Sequence, residues 1–517
     1  MRVANVVVAN VVVANVVVAN VVVANVVVAN VVVANVVVAN VVVANVVVAN
    51  VRVALSEFIG VDMFYLGKVY NGYGALVGGG LELDGDGKLV RVLTAREAEN
   101  VRRSHSSGAR ESSVATDERA AVVEQKPVEQ TLAPKQAPAT GNPPETVPNA
   151  PEYAPPFVDG ALITPGFVDI HCHGGGGFAF PDNFKPEEIE TAISTHQRGG
   201  TTAMLASLVS LADPLPQIEA LRPFCERGEL AGLHFEGPYI SQQKCGAQNP
   251  AVIRPVDVDE LRSWLDACKG WMKTMTVAPE AQGAREAADL LLEYGAKPSW
   301  GHSNATGEEA RAELDYVVEA HARTPRFPKG DVPQTVTHLF NAMPSIQHRA
   351  PGPIREFIQA GRREEIACEV IADGHHIHPD LVEDVIDYLD KNDAMGGIPH
   401  AFFVTDSLAA AGMPPGKYTL GGLAVEVRNG VCYLEGTTTI SGGATVLADH
   451  FRLFARRGNL HIATLVRACV SGPVHAGSLE GLPGVTLEFE PGVAPNFIVF
   501  DEDFTTKHVV REGKDLT

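Results

Sequence analysis

The sequence predicts an α/β protein whose main body is a (β/α)8 barrel, joined to a small β-domain assembled from both ends of the chain. Three observations carry that expectation. From Pro165 onward short β-rich runs alternate with helical stretches eight times, histidines and acids stand directly after many of those runs, and short alternating apolar segments flank the whole stretch. An open doubly wound sheet would gather its polar residues at one switch point, so it fits the second observation poorly.

The expected barrel strands cover residues 166–170, 201–207, 230–235, 274–279, 297–300, 335–338, 366–371 and 401–405. Runs such as LAGLHF and AFFVT are short and almost wholly apolar, as strands buried on both faces must be. Between several of them lie amphipathic stretches, among them PEEIETAISTHQRG, AREAADLLLEYG and PDLVEDVIDYLD, whose apolar residues recur at helical spacing.

The flanks divide differently. After MRVAN the pentad VVVAN recurs nine times before the degenerate copy VRVAL. A period of five spirals round every face of a helix and alternates between the faces of a strand, so residues 1–55 are expected to be low-complexity sequence without a functional role. Residues 56–99 carry alternating apolar runs and Asp-Gly turn signals, which predict an antiparallel sheet, and residues 483–517 read the same way. Between them, residues 100–158 are rich in Ser, Glu, Gln and Pro and are expected to be a disordered insertion. The barrel itself is assigned to residues 159–482.

Composition excludes some functions. In 517 residues, 62 acids against 41 bases give a formal charge of -21, which repels phosphate backbones and anionic lipid, so neither a nucleic-acid partner nor a membrane partner is expected. The seven cysteines show no CxxC spacing, and an odd number cannot all pair within one chain, which fits the reducing cytoplasm.

The residues just past the strand ends carry the chemistry. His171 and His173 come after the first strand, Glu236 after the third, His302 after the fifth, His338 after the sixth, Asp373 and His376 after the seventh and Asp406 after the eighth. In a barrel these positions share the rim where active sites are built. Imidazole nitrogens and carboxylate oxygens suit one or two divalent ions, Zn or Fe, and an extended His-x-His directs both rings to one face. Singly, each residue has a bland alternative: a packed core histidine, a loop acid, or a helix cap at Asp406. Together Glu236, His302 and His338 form a three-ligand set. Asp406 then becomes the carboxylate that takes a proton from water activated by the metal and returns it to a leaving group.

The segments GFVDIHCHGGGG, LHFEGPYIS, KCGAQNP, GHSNAT, THLFNAM, IADGHHIHP and TDSLAAAG occur in the order seen in N-acetylglucosamine-6-phosphate deacetylases of the amidohydrolase superfamily, which this chain resembles over residues 165–482. The resemblance implies a TIM-like barrel with a small β-sandwich domain, a homodimer, and hydrolysis of an amino-sugar phosphate to glucosamine 6-phosphate and acetate. It implies Glu236, His302 and His338 as the principal metal site, Asp406 as proton acceptor and donor, and His171 and His173 as ligands of a second ion that some relatives have lost. Substrate contacts carried over from the family are Ala247, Gln248, Asn341, Ala342, Arg349, Asp373, Gly374, His375, His376, Ile440, Ser441 and Gly442. Arg349 resembles the residue that pairs with the sugar phosphate, within or across subunits, through a bidentate fork. Gln248 stands where some relatives carry His. Two other readings remain: a different metal amidohydrolase such as a cyclic amidase or an N-acyl amino-acid hydrolase, and an inactive sugar-phosphate-binding scaffold.

Overall fold

The computed structural model describes residues 62–114, 156–323, 325–328, 331–390, 398–428 and 430–517, together with short strands between residues 5 and 48. Eight parallel strands form the main sheet: Phe167–Asp169, Thr201–Leu208, Gly232–Glu236, Met272–Val277, Lys297–Trp300, Thr335–Val336, Ala367–Ile371 and Ala401–Val404. Every residue of Thr201–Leu208, Gly232–Glu236 and Ala367–Ile371 is buried, which explains their continuous apolar runs. Bonds at the C-terminal ends of the first and eighth strands bring the sheet round on itself. Asp406 N–H donates to the His171 carbonyl at 2.8 Å, and His173 N–H donates to the Ser407 carbonyl at 2.8 Å. The result is a TIM-like (β/α)8 barrel.

Helices between the strands obey ordinary end chemistry. Pro186–Arg198 opens with Pro186, Glu187 and Glu188 and ends with His196 and Arg198, matching the helix dipole. Asp257 caps Val258–Cys268, its side chain accepting from Asp259 N–H and Glu260 N–H at 3.0 Å each.

The small domain is a seven-stranded sheet in the order Leu89–Leu93, Leu76–Leu83, Met63–Tyr70, Phe157–Pro165, Phe497–Phe500, Thr506–Arg511 and Lys514–Asp515. Its two outer ends fold toward each other: Leu89 N–H donates to the Val493 carbonyl at 2.9 Å, and a Cβ on Gly87 would meet the Gly513 carbonyl at 2.5 Å. Tyr65, Val69, Leu81, Ile163, Phe497, Val499 and Val510 fill the space enclosed. Both chain ends therefore contribute to one core.

The boundaries differ from expectation in several places. Phe157–Pro165 pairs with Met63–Tyr70 and Phe497–Phe500, so it belongs to the small sheet, and the barrel begins at Phe167 rather than at 159. The Pro165-Gly166 step, where the chain leaves one sheet for the other, is hidden in sequence by the apolar run on either side. The stretch expected to be disordered from residue 100 begins instead within a helix, Ala95–Val114. A capping box starts that helix: Thr94 N–H donates to Glu97 at 2.8 Å, and Glu97 N–H to Thr94 Oγ1 at 3.3 Å. Residues 115–155 lie outside the described residues. Within the pentad repeat, strands pair in parallel with Asn5 opposite Asn25 and Val26 opposite Val46. A period of five suits neither a helix nor a flat strand, but four pentads return Asn to Asn, and parallel stacking accepts that register. Beyond the eighth barrel strand, an antiparallel sheet not expected from the sequence (Lys417–Leu420, Leu423–Arg428, Val431–Leu434, Ile440–Gly442) leads back to the barrel mouth.

Candidate metal centre

Where barrel strands end, the backbone turns sharply. His302, His338 and Asp406 adopt positive φ (47°, 30° and 48°), a region costly for residues with a Cβ, on the order of 1 kcal/mol or more each. Strand-end bonds hold these conformations and aim all three side chains into the barrel mouth.

The two imidazoles meet at Glu236. His302 Nε2 and His338 Nε2 each lie 2.9 Å from Glu236 Oε1 and 3.1 Å from one another. His173 Nε2 stands 3.3 Å from Glu236 Oε2, and His171 Nε2 stands 3.6 Å from Oε1. Asp406 Oδ1 is 3.4 Å from His171 Nε2 and 3.2 Å from His173 Nε2. Two three-donor sets, His171–His173–Glu236 and Glu236–His302–His338, therefore share one carboxylate. All six residues are buried.

For His171, His173 and His302 the outer nitrogens explain why the inner ones can be donors to a cation, whereas His338 Nδ1 is buried without a hydrogen-bond partner among the described residues. His302 Nδ1 lies 2.8 Å from the Lys244 carbonyl, His173 Nδ1 3.2 Å from the Ser207 carbonyl and His171 Nδ1 2.9 Å from Glu369 Oε2. Each partner can only accept, so Nδ1 carries the proton and Nε2 presents a lone pair inward. Lone pairs and carboxylate oxygens then face one another across about 3 Å, an arrangement that calls for positive charge at its centre. Donor separations of 2.9–3.1 Å suit ligands around an ion with bonds of about 2.0–2.2 Å. The residues present fit one or two divalent ions.

The same field draws positive charge onto the imidazoles, where a proton competes with a cation for the inward lone pair. Burial pulls His171 down, but Glu369, Asp406 and Glu236 outweigh it and lift the imidazole to about 10. Burial likewise opposes ionisation of Glu236, yet the His302 charge and the hydrogen bonds of His173, His302 and His338 hold it well below the usual carboxylate range. Asp406 is also held low, by His171 and His173 against its own burial. It is a carboxylate at neutral pH.

Around the centre, Gln248 donates from Nε2 to Glu236 Oε2 at 2.5 Å and accepts from Ser210 N–H at 2.6 Å, so one amide N–H remains uncommitted. Asp373 Oδ2 lies 2.7 Å from His376 Nδ1, and its Oδ1 accepts from His375 N–H and His376 N–H. Burial lowers His376, but Asp373 and then Asp406 raise it above its ordinary value. Gly374 provides the left-handed turn (φ 78°) between Asp373 and the exposed His375. Asn341 Nδ2 donates to the His338 carbonyl at 3.3 Å, and the Ala342 carbonyl accepts from Ser303 N–H. Ala247 packs beside Val209 and Leu408. The strand Ile440–Gly442 runs past Asp406, whose carbonyl accepts from Gly443 N–H at 2.7 Å, and Ser441 Oγ is buried without a partner among the described residues. Arg349 is not drawn into this cluster. It is exposed on a groove of about 840 Å³ lined also by Asn304, Arg311 and Arg355, which includes none of the candidate metal ligands.

Two residues that sequence reasoning missed lie just beneath. Glu369 accepts from the His171 ring and from His338 N–H at 3.1 Å, and His234 stacks edge-on against His171 at 4.4 Å. They belong to a fully buried polar layer with one member on or just after each strand: Asp169, Ser207, His234, Thr276, Ser299, Thr337, Glu369 and Thr405. Ser207, His234, Thr276, Thr337 and Ser299 are joined by bonds of 2.7–3.0 Å. A signal was available in LHFE, where His234 and Glu236 share a strand face, and in CEVI, where an acid interrupts an apolar run.

Known proteins resemble the chain over most of its length. The amidohydrolase family model matches residues 162–515. The N-acetylgalactosamine-6-phosphate deacetylase of Escherichia coli is 27% identical over 69% of this chain and 88% of its own length. The N-acetylglucosamine-6-phosphate deacetylase of Bacillus subtilis is 31% identical over 59% of this chain and 73% of its own. Among solved structures, a variant of the N-acetyl-D-glucosamine-6-phosphate deacetylase of Mycobacterium smegmatis, in complex with N-acetyl-D-glucosamine-6-phosphate, superposes with a TM-score of 0.67 at 27% identity, covering 89% of this chain and all of its own. With strand-end imidazoles gathered on one carboxylate at the mouth of a (β/α)8 barrel, and with that match across most of its length, the chain belongs to the amidohydrolase family.

Proposed function

We propose that the chain hydrolyses the acetamide of an N-acetylhexosamine 6-phosphate, with N-acetylglucosamine 6-phosphate yielding glucosamine 6-phosphate and acetate, in amino-sugar catabolism. The observation that carries this reading is the gathering of two imidazole pairs on Glu236, with Asp406 against one of them, in a chain whose relatives are named as deacetylases of such sugars.

Glu236, His302 and His338 would hold the principal ion and His171, His173 and Glu236 a second, with zinc or iron matching the nitrogen and oxygen donors. A divalent ion there supplies Lewis acidity and lowers the pKa of bound water from 15.7 to about 7. The chain's own residues do the rest. Asp406 Oδ1 takes the proton of the attacking water and delivers it to the sugar nitrogen as the C–N bond breaks. His376, held by Asp373 through Nδ1, offers Nε2–H to the oxygen that becomes negative, and the free N–H of Gln248 stands beside it as a second donor. Ser441 Oγ is available to a sugar hydroxyl. Ala247, Asn341, Ala342, Gly374, His375, Ile440 and Gly442 form the walls against which the sugar is held. Arg349, away from the cluster, is assigned to the sugar phosphate across a homodimer interface. We place the enzyme in the cytoplasm, and among the described residues no helix is long and apolar enough to cross a membrane.

Acetate release from N-acetylglucosamine, its 6-phosphate and the 6-phosphate of the 4-epimer, with and without prior chelation, tests the proposal. Turnover confined to the phosphorylated sugars and abolished by chelation is expected. Equal rates on unphosphorylated sugar, or no acetate from any, would overturn it.

A further inference from the structure

We propose that Glu369 is the positioning residue on which ion binding at the His171–His173 set depends. The inference rests on the metal-centre reading and adds to it which residue decides how many ions the site holds.

Of the outer partners that fix ligand tautomers, those of His173 and His302 are backbone carbonyls. His171 differs, because its Nδ1–H is held by the side chain of Glu369 at 2.9 Å. The same carboxylate oxygen accepts from the backbone N–H of His338 at 3.1 Å. One carboxylate thus ties a ligand of each set, and the ends of the first and sixth strands, to the seventh strand. With Nδ1 so engaged, His171 Nε2 faces Glu236 and Asp406 at 3.6 and 3.4 Å.

Glu369 is fully buried, and its second oxygen has no hydrogen-bond partner among the described residues. A buried carboxylate with one oxygen unpaired is costly unless positive charge is near. An ion bound at the far side of the His171 ring, which Glu369 holds through Nδ1, would place such charge within its reach. Carboxylate–imidazole–metal relays of this kind stiffen the ligand and raise its basicity, and losing the outer partner typically lowers metal affinity about 10- to 100-fold. The principal ion keeps Glu236, His302 and His338, and of these only His338, through its backbone N–H, hydrogen-bonds the Glu369 side chain among the described residues.

The test is metal binding by the full chain, independent of turnover. Wild-type protein, Glu369→Gln and Glu369→Ala are stripped, titrated with Co²⁺ and monitored by elemental analysis and the visible cobalt spectrum. We expect two ions in the wild type. The second ion should bind about 10-fold more weakly in Glu369→Gln, which keeps an acceptor oxygen, and about 100-fold more weakly in Glu369→Ala, while the first binds as before. If the alanine variant does not fold, the glutamine variant decides. Wild-type affinity for a second ion in either folded variant, or a wild type that takes only one ion, overturns the role of Glu369. A wild type that binds none overturns the metal centre itself.

Discussion

Replacing Asp406 by asparagine removes a charge and a proton acceptor while preserving shape, and its consequences can be worked from the contacts. Asp406 Oδ1 lies 3.2 Å from His173 Nε2 and 3.4 Å from His171 Nε2 but makes no ion pair with His302 or His338 among the described residues. The ion at Glu236, His302 and His338 should therefore stay bound, and the one at His171 and His173 should loosen. A general acid–base group contributes about 10²- to 10⁴-fold to rate, or about 3–5 kcal/mol of barrier. Asp406→Asn should lower kcat for acetate release by that factor, with KM changed far less, and should flatten the acidic limb of the pH profile. The assay pairs acetate release with elemental analysis of the same preparation. Turnover within about threefold of wild type, with the principal ion in place, would remove Asp406 from the proton transfers.

Other contacts give further expected outcomes. Arg349→Ala should raise KM for the phosphorylated sugar by about 10-fold or more, the loss of a charge-assisted fork, without changing metal content. Mixed dimers of Arg349→Ala and Asp406→Asn subunits should regain activity if the arginine acts across the interface, and none if it acts within its own subunit. Gln248→Ala leaves Glu236 Oε2 and Ser210 N–H without their bonds of 2.5 and 2.6 Å, so kcat/KM should fall about 10-fold or more, measured by acetate release. At the opposite end of the fifth strand, Lys297 is buried with its Nζ donating to the His475 carbonyl at 2.9 Å, and burial lowers its pKa to about 7 although Asp331 opposes. Between that value and the ordinary lysine pKa the unfolded chain binds the extra proton, so this residue's contribution to stability rises with pH by about 1.4 kcal/mol per unit. Denaturant titrations of wild type and Lys297→Met should diverge with that slope between about pH 7 and 10, and parallel curves would show that the buried amine stays charged.

The candidate ligands were legible because a barrel strand declares itself as an apolar run, and imidazoles and acids repeated at the ends of several such strands share one rim. Glu236 after LHF and Asp406 after FFVT are of that kind, and in the structure both stand in the barrel mouth with His171 and His173. The eight strands come from the same signal. What lay deeper was not legible. Ser207, Thr276 and Ser299 look like ordinary strand residues, and only the closed barrel turns them inward as a connected layer. Glu369 was hidden because one acid in a buried strand gains meaning only from His171, far away in sequence but 2.9 Å away in space. The Phe157–Pro165 strand escaped for a related reason: its partners come from both chain ends, and nothing local distinguishes it from the barrel strand just after it. Arg349 shows the converse limit, since its motif context was plain while its exposed position on a separate groove was not.

The most direct measurement is anomalous diffraction from a crystal of the protein grown with zinc, recorded on both sides of the zinc absorption edge. A peak is expected at about 2.0–2.2 Å from Glu236 Oε1, His302 Nε2 and His338 Nε2 together. Density at the edge that avoids those three atoms, or a cluster that collapses into direct hydrogen bonds with no peak at saturating zinc, would contradict it.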